Sequence, residues 1–463
     1  MSFDPIFLSR LQFAFTIAFH ILFPAFTIGL AAYIAVLEGL WLTTRRRAYL
    51  ALSEFWTRLF AISFGMGVVS GVVMSYQVGT NWSRFSDLTG NVLGPLFTYE
   101  VLSAFFLEAS FLGILLFGRG RVPEWVHALA AVAVAGGTLL SMFWILSANS
   151  WMHTPAGFVM NGERFEVADW WAAVLNPSFP YRLLHMGTAC FLTTAFVVAG
   201  VSAWFLLRGR EIETSDVALR QGIGLIVVLA PLQILLGDLH GLNTLEHQPV
   251  KVAAMEGHWE GERGAPAILF AIPDMEAETN HFQIGIPKLA SLILTHDPDG
   301  KVPGLKEWPP EDRPWVPIVF WSFRVMIAVG FLMLAVGLVS LYLRIRGRLY
   351  DTRWFLQLCL WCTPIGYIAI LAGWFTTETG RQPWVVYGLM RTVDGVSPSV
   401  TAIDLLISLA AFVVAYAIIF GAGVYYMLRL VRAGPRDPEE APEPKGTAKR
   451  PLSMPEESFE AAE

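Results

Sequence analysis

The chain has 463 residues, of which 55% are hydrophobic and only 15% charged, with a formal net charge of −6. That composition excludes an ordinary soluble domain, and so small a negative charge argues against a nucleic-acid partner. The three cysteines, Cys190, Cys359 and Cys362, all lie in apolar runs, which leaves no disulfide framework for exposed loops.

No basic stretch followed by a small-residue cleavage site opens the chain, so the first apolar run is read as a retained helix. Runs of bilayer-spanning length predict nine transmembrane helices, over 12–41, 55–79, 95–118, 125–150, 183–207, 219–240, 317–343, 355–378 and 402–430. Backbone groups in hydrocarbon must be satisfied internally, so these runs are read as helices and the fold class as an all-α membrane protein. Four units follow: a six-helix part (1–240), a long polar loop (241–316), a three-helix part (317–432), and a Pro-, Glu- and Lys-rich tail (433–463) read as a disordered cytoplasmic segment.

The basic residues set the orientation. Arg45, Arg46 and Arg47 follow the first predicted helix. Arg119 and Arg121, then Arg208 and Arg210, then Arg344, Arg346 and Arg348, then Arg429 and Arg432 follow the third, fifth, seventh and ninth. All fall on one side, which the positive-inside rule makes cytoplasmic, with the N-terminus and the 241–316 loop outside. A structureless loop of that length is usually functional or a linker. Its first half, QPVKVAAMEGHWEG, has helical spacing, and Lys251 and Glu256 there form a charged pair able to hold a polar headgroup at the membrane surface. Ordinary solvated surface charge is the alternative.

Ionisable side chains inside spanning helices are costly and are functional candidates. In chain order they are His20, Glu100, Glu108, His185, Arg324 and Glu378, with Ser141, Met326 and Arg381 as polar or sulfur neighbours. His20, Glu100, His185, Met326 and Glu378 fall in the outer half, and His with Met is a known axial pair for a low-spin haem iron. Satisfied core residues, or a substrate path through a transporter or channel, account for the same residues. So does a haem b electron carrier that does not reduce oxygen. Cys359 and Cys362 form a CxxC that is read as mid-helix packing.

The stretches SRLQFAFTIAFH (9–20), GTNWS (79–83), E-x-L-x-AFFLE (100–108), the WIL-x-AN-x-WM run (144–152), KVAAMEGHW (251–259), FRVM (323–326) and GWFTTETGRQPW (373–384) change the balance. Over nearly its whole length except the tail, the chain resembles subunit I of the cytochrome bd-type quinol oxidases of prokaryotic membranes. The compact loop and HILFPAFTIGLAAYIAVLEGLWL resemble the cyanide-insensitive, short-loop branch. The resemblance implies a terminal quinol:oxygen oxidoreductase that builds proton motive force without pumping. It implies His185 and Met326 as axial ligands of a low-spin haem b, with Arg324 beside it. It implies His20 and Glu378 as ligands at two high-spin haems, one haem b and the other haem d or a further haem b. Glu100 is implied close to those haems, Arg381 at a propionate, Lys251 and Glu256 at the quinol, and Glu108 and Ser141 on a proton path. It further implies a second integral-membrane subunit and a small single-helix subunit as partners, with O2 and quinol as substrates.

Overall fold

The computed structural model describes residues 4–435. Most of the 433–463 tail therefore lies outside the described residues. Among those described, nine helices are long and apolar enough to cross a membrane: Pro5–Thr44, Arg47–Thr80, Ser83–Phe117, Glu124–His153, Phe179–Leu207, Ile212–His247, Val316–Ile345, Arg353–Thr379 and Ala402–Ala433. They are numbered here as spans one to nine. All nine expected helices are present, and most are longer than their apolar runs. Span six continues from 240 to His247 because polar residues outside hydrocarbon do not by themselves stop a helix.

Three spans are interrupted, each near a proline. Span one breaks at Ile21, between Pro5–His20 and Leu22–Thr44. Pro24 has no N–H for the His20 carbonyl and its ring crowds that oxygen, so His20 sits at the break. Span three carries Pro95 and then a π-helical turn over Glu100–Phe105. Span eight is two helices, Arg353–Trp361 and Ile365–Thr379, separated around Pro364. Cys359 thus lies in the last turn before the helix break and Cys362 caps that piece, rather than both lying mid-helix, and both are buried free thiols.

Spans one and five are the most enclosed, with 61% and 72% of their apolar windows buried. Around them pack Leu30, Ile34 and Leu37, Trp56 and Phe60 of span two, and Val198 and Phe205 of span five. Small residues let backbones approach closely here. A Cβ at Gly29 would stand 2.5 Å from Thr194 Oγ1, and one at Gly366 the same distance from Thr193 Oγ1.

The connections after spans four, six and eight share one side, as alternating spans require, and they are folded. β1 (Phe158–Asn161) pairs with β2 (Arg164–Val167) after span four. After span six come a helix, Pro249–Glu256, and two antiparallel strand pairings. β3 (Glu262–Arg263) joins β6 (Lys301–Val302), and β4 (Ala267–Asp274) joins β5 (Thr279–Ile286). β7 (Trp384–Val386) pairs with β8 (Met390–Arg391) after span eight. These pieces knit into one cap: Arg391 reaches Asp312, Tyr387 N–H donates to the Met152 carbonyl at 2.9 Å, and Ser397 N–H to that of Asn81 at 2.9 Å. The polar interval between spans six and seven is therefore an ordered element.

Candidate functional site

The helix Pro249–Glu256 carries Lys251 and Glu256. Five residues on a helix turn through about 500°, which leaves the two side chains about 140° apart. They accordingly lead in different directions. Lys251 points inward and is 2% exposed. Its Nζ donates to His153 Nδ1 at 3.1 Å, and His153 Nε2 donates to Glu378 Oε1 at 3.2 Å. Both bonds are satisfied by one neutral imidazole, with its proton on Nε2 as the network assigns it. Asn149 Nδ2 also donates to Glu378 Oε1, at 2.9 Å, and Arg381 closes on the other carboxylate oxygen. Burial, with the Arg182 and Arg381 cations nearby, pushes the Lys251 ammonium well below the ordinary lysine value, against the opposing pull of Glu378.

Glu256 instead meets Arg324 of span seven, Oε2 to Nη2 at 3.0 Å, with both side chains largely buried. Arg324 also donates from Nε to the Ile268 carbonyl at 2.6 Å and lies over the Phe320 ring at 4.6 Å. The expected Lys251–Glu256 pair is thus two separate contacts, one to Glu378 through His153 and one to Arg324.

Deeper in the helices, three candidate ligands each stand against a glycine of a neighbouring helix. Atoms of His20 and His185 come within 3.2 and 3.3 Å of where a Cβ at Gly71 and Gly237 would be, and Met326 Sδ within 3.0 Å of one at Gly373. His20 Nδ1 is 2.9 Å from Ser70 Oγ. Both ring nitrogens of His185 lie 3.3 Å from Gln233 Nε2, and the His240 ring is 5.5 Å away. Glu100 opens the π turn and accepts from Ser141 Oγ at 2.8 Å. In an unbroken α-helix, eight residues would leave Glu108 about 80° round from Glu100. The extra residue of the π turn takes that rotation back, so both carboxylates face span four. Glu108 is buried over Gly137, one turn from Ser141, and its Oε1 has no partner among the described residues.

Sequence reasoning passed over two groups. His153 and the buried Arg182 belong to the Glu378 network, Arg182 approaching Asn149 Oδ1 at 3.5 Å. At the opposite end of the helices, Glu38 is fully buried, takes Arg119 and Ser53 at its Oε1, and holds His127 Nδ1 at 3.1 Å from Oε2. An acid inside the run YIAVLEGLWL was the available signal for Glu38. Its charged partners, Arg119 and His127, were hidden because they lie about 80–90 residues away.

No group of three or more His, Cys, Asp or Glu side chains forms a bare-ion site among the described residues. The family described as cytochrome bd terminal oxidase subunit I matches residues 8–435. Cytochrome bd ubiquinol oxidase subunit 1 of Bacillus subtilis (strain 168) is 38% identical over 439 residues, covering 92% of this chain and 93% of that protein. Cytochrome bd-II ubiquinol oxidase subunit 1 of Escherichia coli (strain K12) is 35% identical, covering 93% and 97%. A putative cytochrome bd menaquinol oxidase subunit I of B. subtilis is 31% identical, covering 94% and 98%. Among solved structures, the bd oxidase from Geobacillus thermodenitrificans matches with a TM-score of 0.87 at 31% identity, over 94% of this chain and all of that one. With the nine spans, the folded cap and the donor set in place, the chain belongs to the cytochrome bd terminal oxidase subunit I family.

Proposed function

We propose that this chain is the quinol-oxidising, haem-carrying subunit of a prokaryotic terminal oxidase that passes electrons from a membrane quinol to O2. The similar proteins are named for ubiquinol and for menaquinol, so the shared substrate class is an isoprenoid quinol. The observation that carries the reading is the donor set. Two imidazoles and a thioether, side chains able to ligate haem iron, each stand against a glycine of a neighbouring helix, where a larger residue would displace them. Two buried guanidinium Nε groups, of Arg182 and Arg381, have no partner among the described residues, which suits propionate anions. The residues present therefore fit haem. His185 and Met326 would hold a low-spin haem b, with Arg324 beside it. His20 and Glu378 would serve a high-spin haem b and a haem d, or a further haem b in its place, with Glu100 close by and Arg381 at a propionate. Bound haem supplies one-electron carriage and an open iron position for oxygen.

The protein's own groups do the remaining work. Glu256, held by Arg324, orients the quinol headgroup and accepts a hydroxyl proton that leaves to the outside. Lys251, one imidazole away from Glu378, fixes that carboxylate through His153 and so ties the outer cap to the site. Reduction of O2 to two waters takes four electrons and four protons. Glu108 and Ser141 carry protons from the cytoplasmic side toward Glu100. Separate sources for protons and electrons charge the membrane without a pump. A second integral-membrane subunit and a small single-helix subunit complete the complex.

The test is a reduced-minus-oxidised spectrum of the purified complex, with chemical identification of the extracted haems and oxygen uptake on added quinol. B-type bands with quinol-driven uptake are expected, and a far-red chlorin band would assign haem d. A preparation without haem would refute the reading.

A further inference from the structure

Much of the apolar surface of the β4–β5 hairpin is left uncovered among the described residues. Leu269, Phe270 and Ile272 of β4 and Phe282, Ile284 and Ile286 of β5 are 40–79% exposed. An exposed apolar patch of this kind marks an interaction site. Ile268 and Ala271 are instead buried against the fully buried Phe320 of span seven.

The hairpin's height along span seven identifies what meets that exposed surface. Phe270 contacts Trp321 edge-on at 5.2 Å, and the Ile268 carbonyl accepts from Arg324. Span seven has 30 residues, about 45 Å of helix, whereas the hydrocarbon core is about 30 Å thick. Its inner boundary is marked by Arg344 and Arg346. Counting about 20 residues back from there puts the outer boundary near Arg324. The strand therefore runs beside the helix at the edge of the hydrocarbon rather than above it. Ile318, Trp321 and Val325, about one helical turn apart, are exposed on the same helix and carry apolar surface across that boundary. The turn of the hairpin is polar, with Glu278 held by Arg313 at 2.6 Å.

We propose that the β4–β5 hairpin is inserted in the outer leaflet, its exposed apolar side chains lying among lipid chains beside span seven. Interfacial elements bind in this way, by burying apolar area a short distance into the headgroup boundary. The consequence for catalysis rests on the quinol reading: the Glu256–Arg324 pair lies under the hairpin, so a lipid-dissolved substrate reaches it without leaving the bilayer.

The three native thiols of this chain are buried, so a single introduced cysteine is its exposed thiol, and the unsubstituted complex labelled in parallel gives the background. The complete oxidase complex, in nanodiscs, would carry Phe282→Cys, Ile284→Cys or, at the polar turn, Glu276→Cys, each bearing an environment-sensitive fluorophore. Retained haem absorption confirms the fold. At 282 and 284 we expect quenching by headgroup-proximal nitroxide lipids and loss of quenching by aqueous iodide, with the opposite pattern at 276. Iodide quenching at 282 and 284 equal to that at 276 would overturn the proposal. So would protection from both quenchers, which would mean that another protein covers the patch. Insertion is read without turnover, so an inserted hairpin in a complex that oxidises no quinol would refute the oxidase reading and leave this one standing.

Discussion

Gly137 and Gly136 are neighbours on span four with opposite surroundings, and that contrast makes a test of the Glu108 position. A Cβ at Gly137 would lie 2.6 Å from Glu108 Cγ and 3.3 Å from both the Ala104 carbonyl oxygen and the Glu108 nitrogen. Ordinary carbon contact is about 3.5–4.0 Å, so about 1 Å of movement is required, and two of the three neighbours are backbone. Overpacking of this kind costs about 1–3 kcal/mol. Gly136 has nothing within 4 Å of the same construction. Gly136→Ala should be neutral or slightly stabilising, by about 0.4–1 kcal/mol, through the helical preference of alanine. Gly137→Ala should displace the Glu108 carboxylate and lower quinol-driven oxygen uptake by about tenfold if about 1.4 kcal/mol of the cost falls on the productive geometry. The assay is steady-state uptake beside a thermal unfolding scan, with Glu108→Gln as the reference for losing the acid. Equal activity in the two glycine variants would refute the placement of Glu108 on the working path.

Met326→Leu keeps the volume and removes the sulfur, so the low-spin haem spectrum should be lost or converted to high-spin. An unchanged spectrum would remove Met326 from the ligand set. Glu256→Gln should impair quinol oxidation while leaving the haem bands unchanged. Lys251→Met, which breaks the line through His153 to Glu378, should instead alter the high-spin bands. Identical spectra in both variants would refute the separation of the two contacts. Asp274 is held below the ordinary aspartate value of 3.8 by N–H donation from Ala277, then by His281 and Glu276 N–H. Its folded-state value is depressed, so its stabilisation of the hairpin turn is present above 3.8 and is lost as pH falls through the lower folded value. Amide exchange at Glu276 and Ala277 should accelerate over that acidic range, and a flat profile would show that the carboxylate does not hold the turn.

The spans were legible because hydrocarbon thickness imposes a length and a hydropathy that single residues cannot disguise. Their ends were not, since helices such as span six run on into water. The order within the 241–316 interval was legible only in its first part, where helical spacing foreshadowed Pro249–Glu256. The β4–β5 pairing depends on a span-seven surface that no local pattern records. The same limit applies at the site. His20, His185, Met326 and Glu378 stood out as costly or polarisable groups in apolar runs. His153 did not, because its role comes from Lys251 and Glu378, 98 and 225 residues away. Lys251 and Glu256 looked like one clamp in the string of letters, and helical rotation separates them.

Span nine bears on how the protein is made. Gln12 of span one accepts from Asn81 Nδ2 and donates from Nε2 to Ser408 Oγ at 2.8 Å, across 396 residues. Tyr416 and Phe420 of span nine pack their rings against Phe15, Phe19 and Phe23, on either side of His20 in the sequence. Until span nine is synthesised, span one therefore has a polar amide short of one partner and an aromatic row without that cover. The aromatic row on either side of His20 in the sequence is covered only once span nine, about 400 residues later, has joined the bundle.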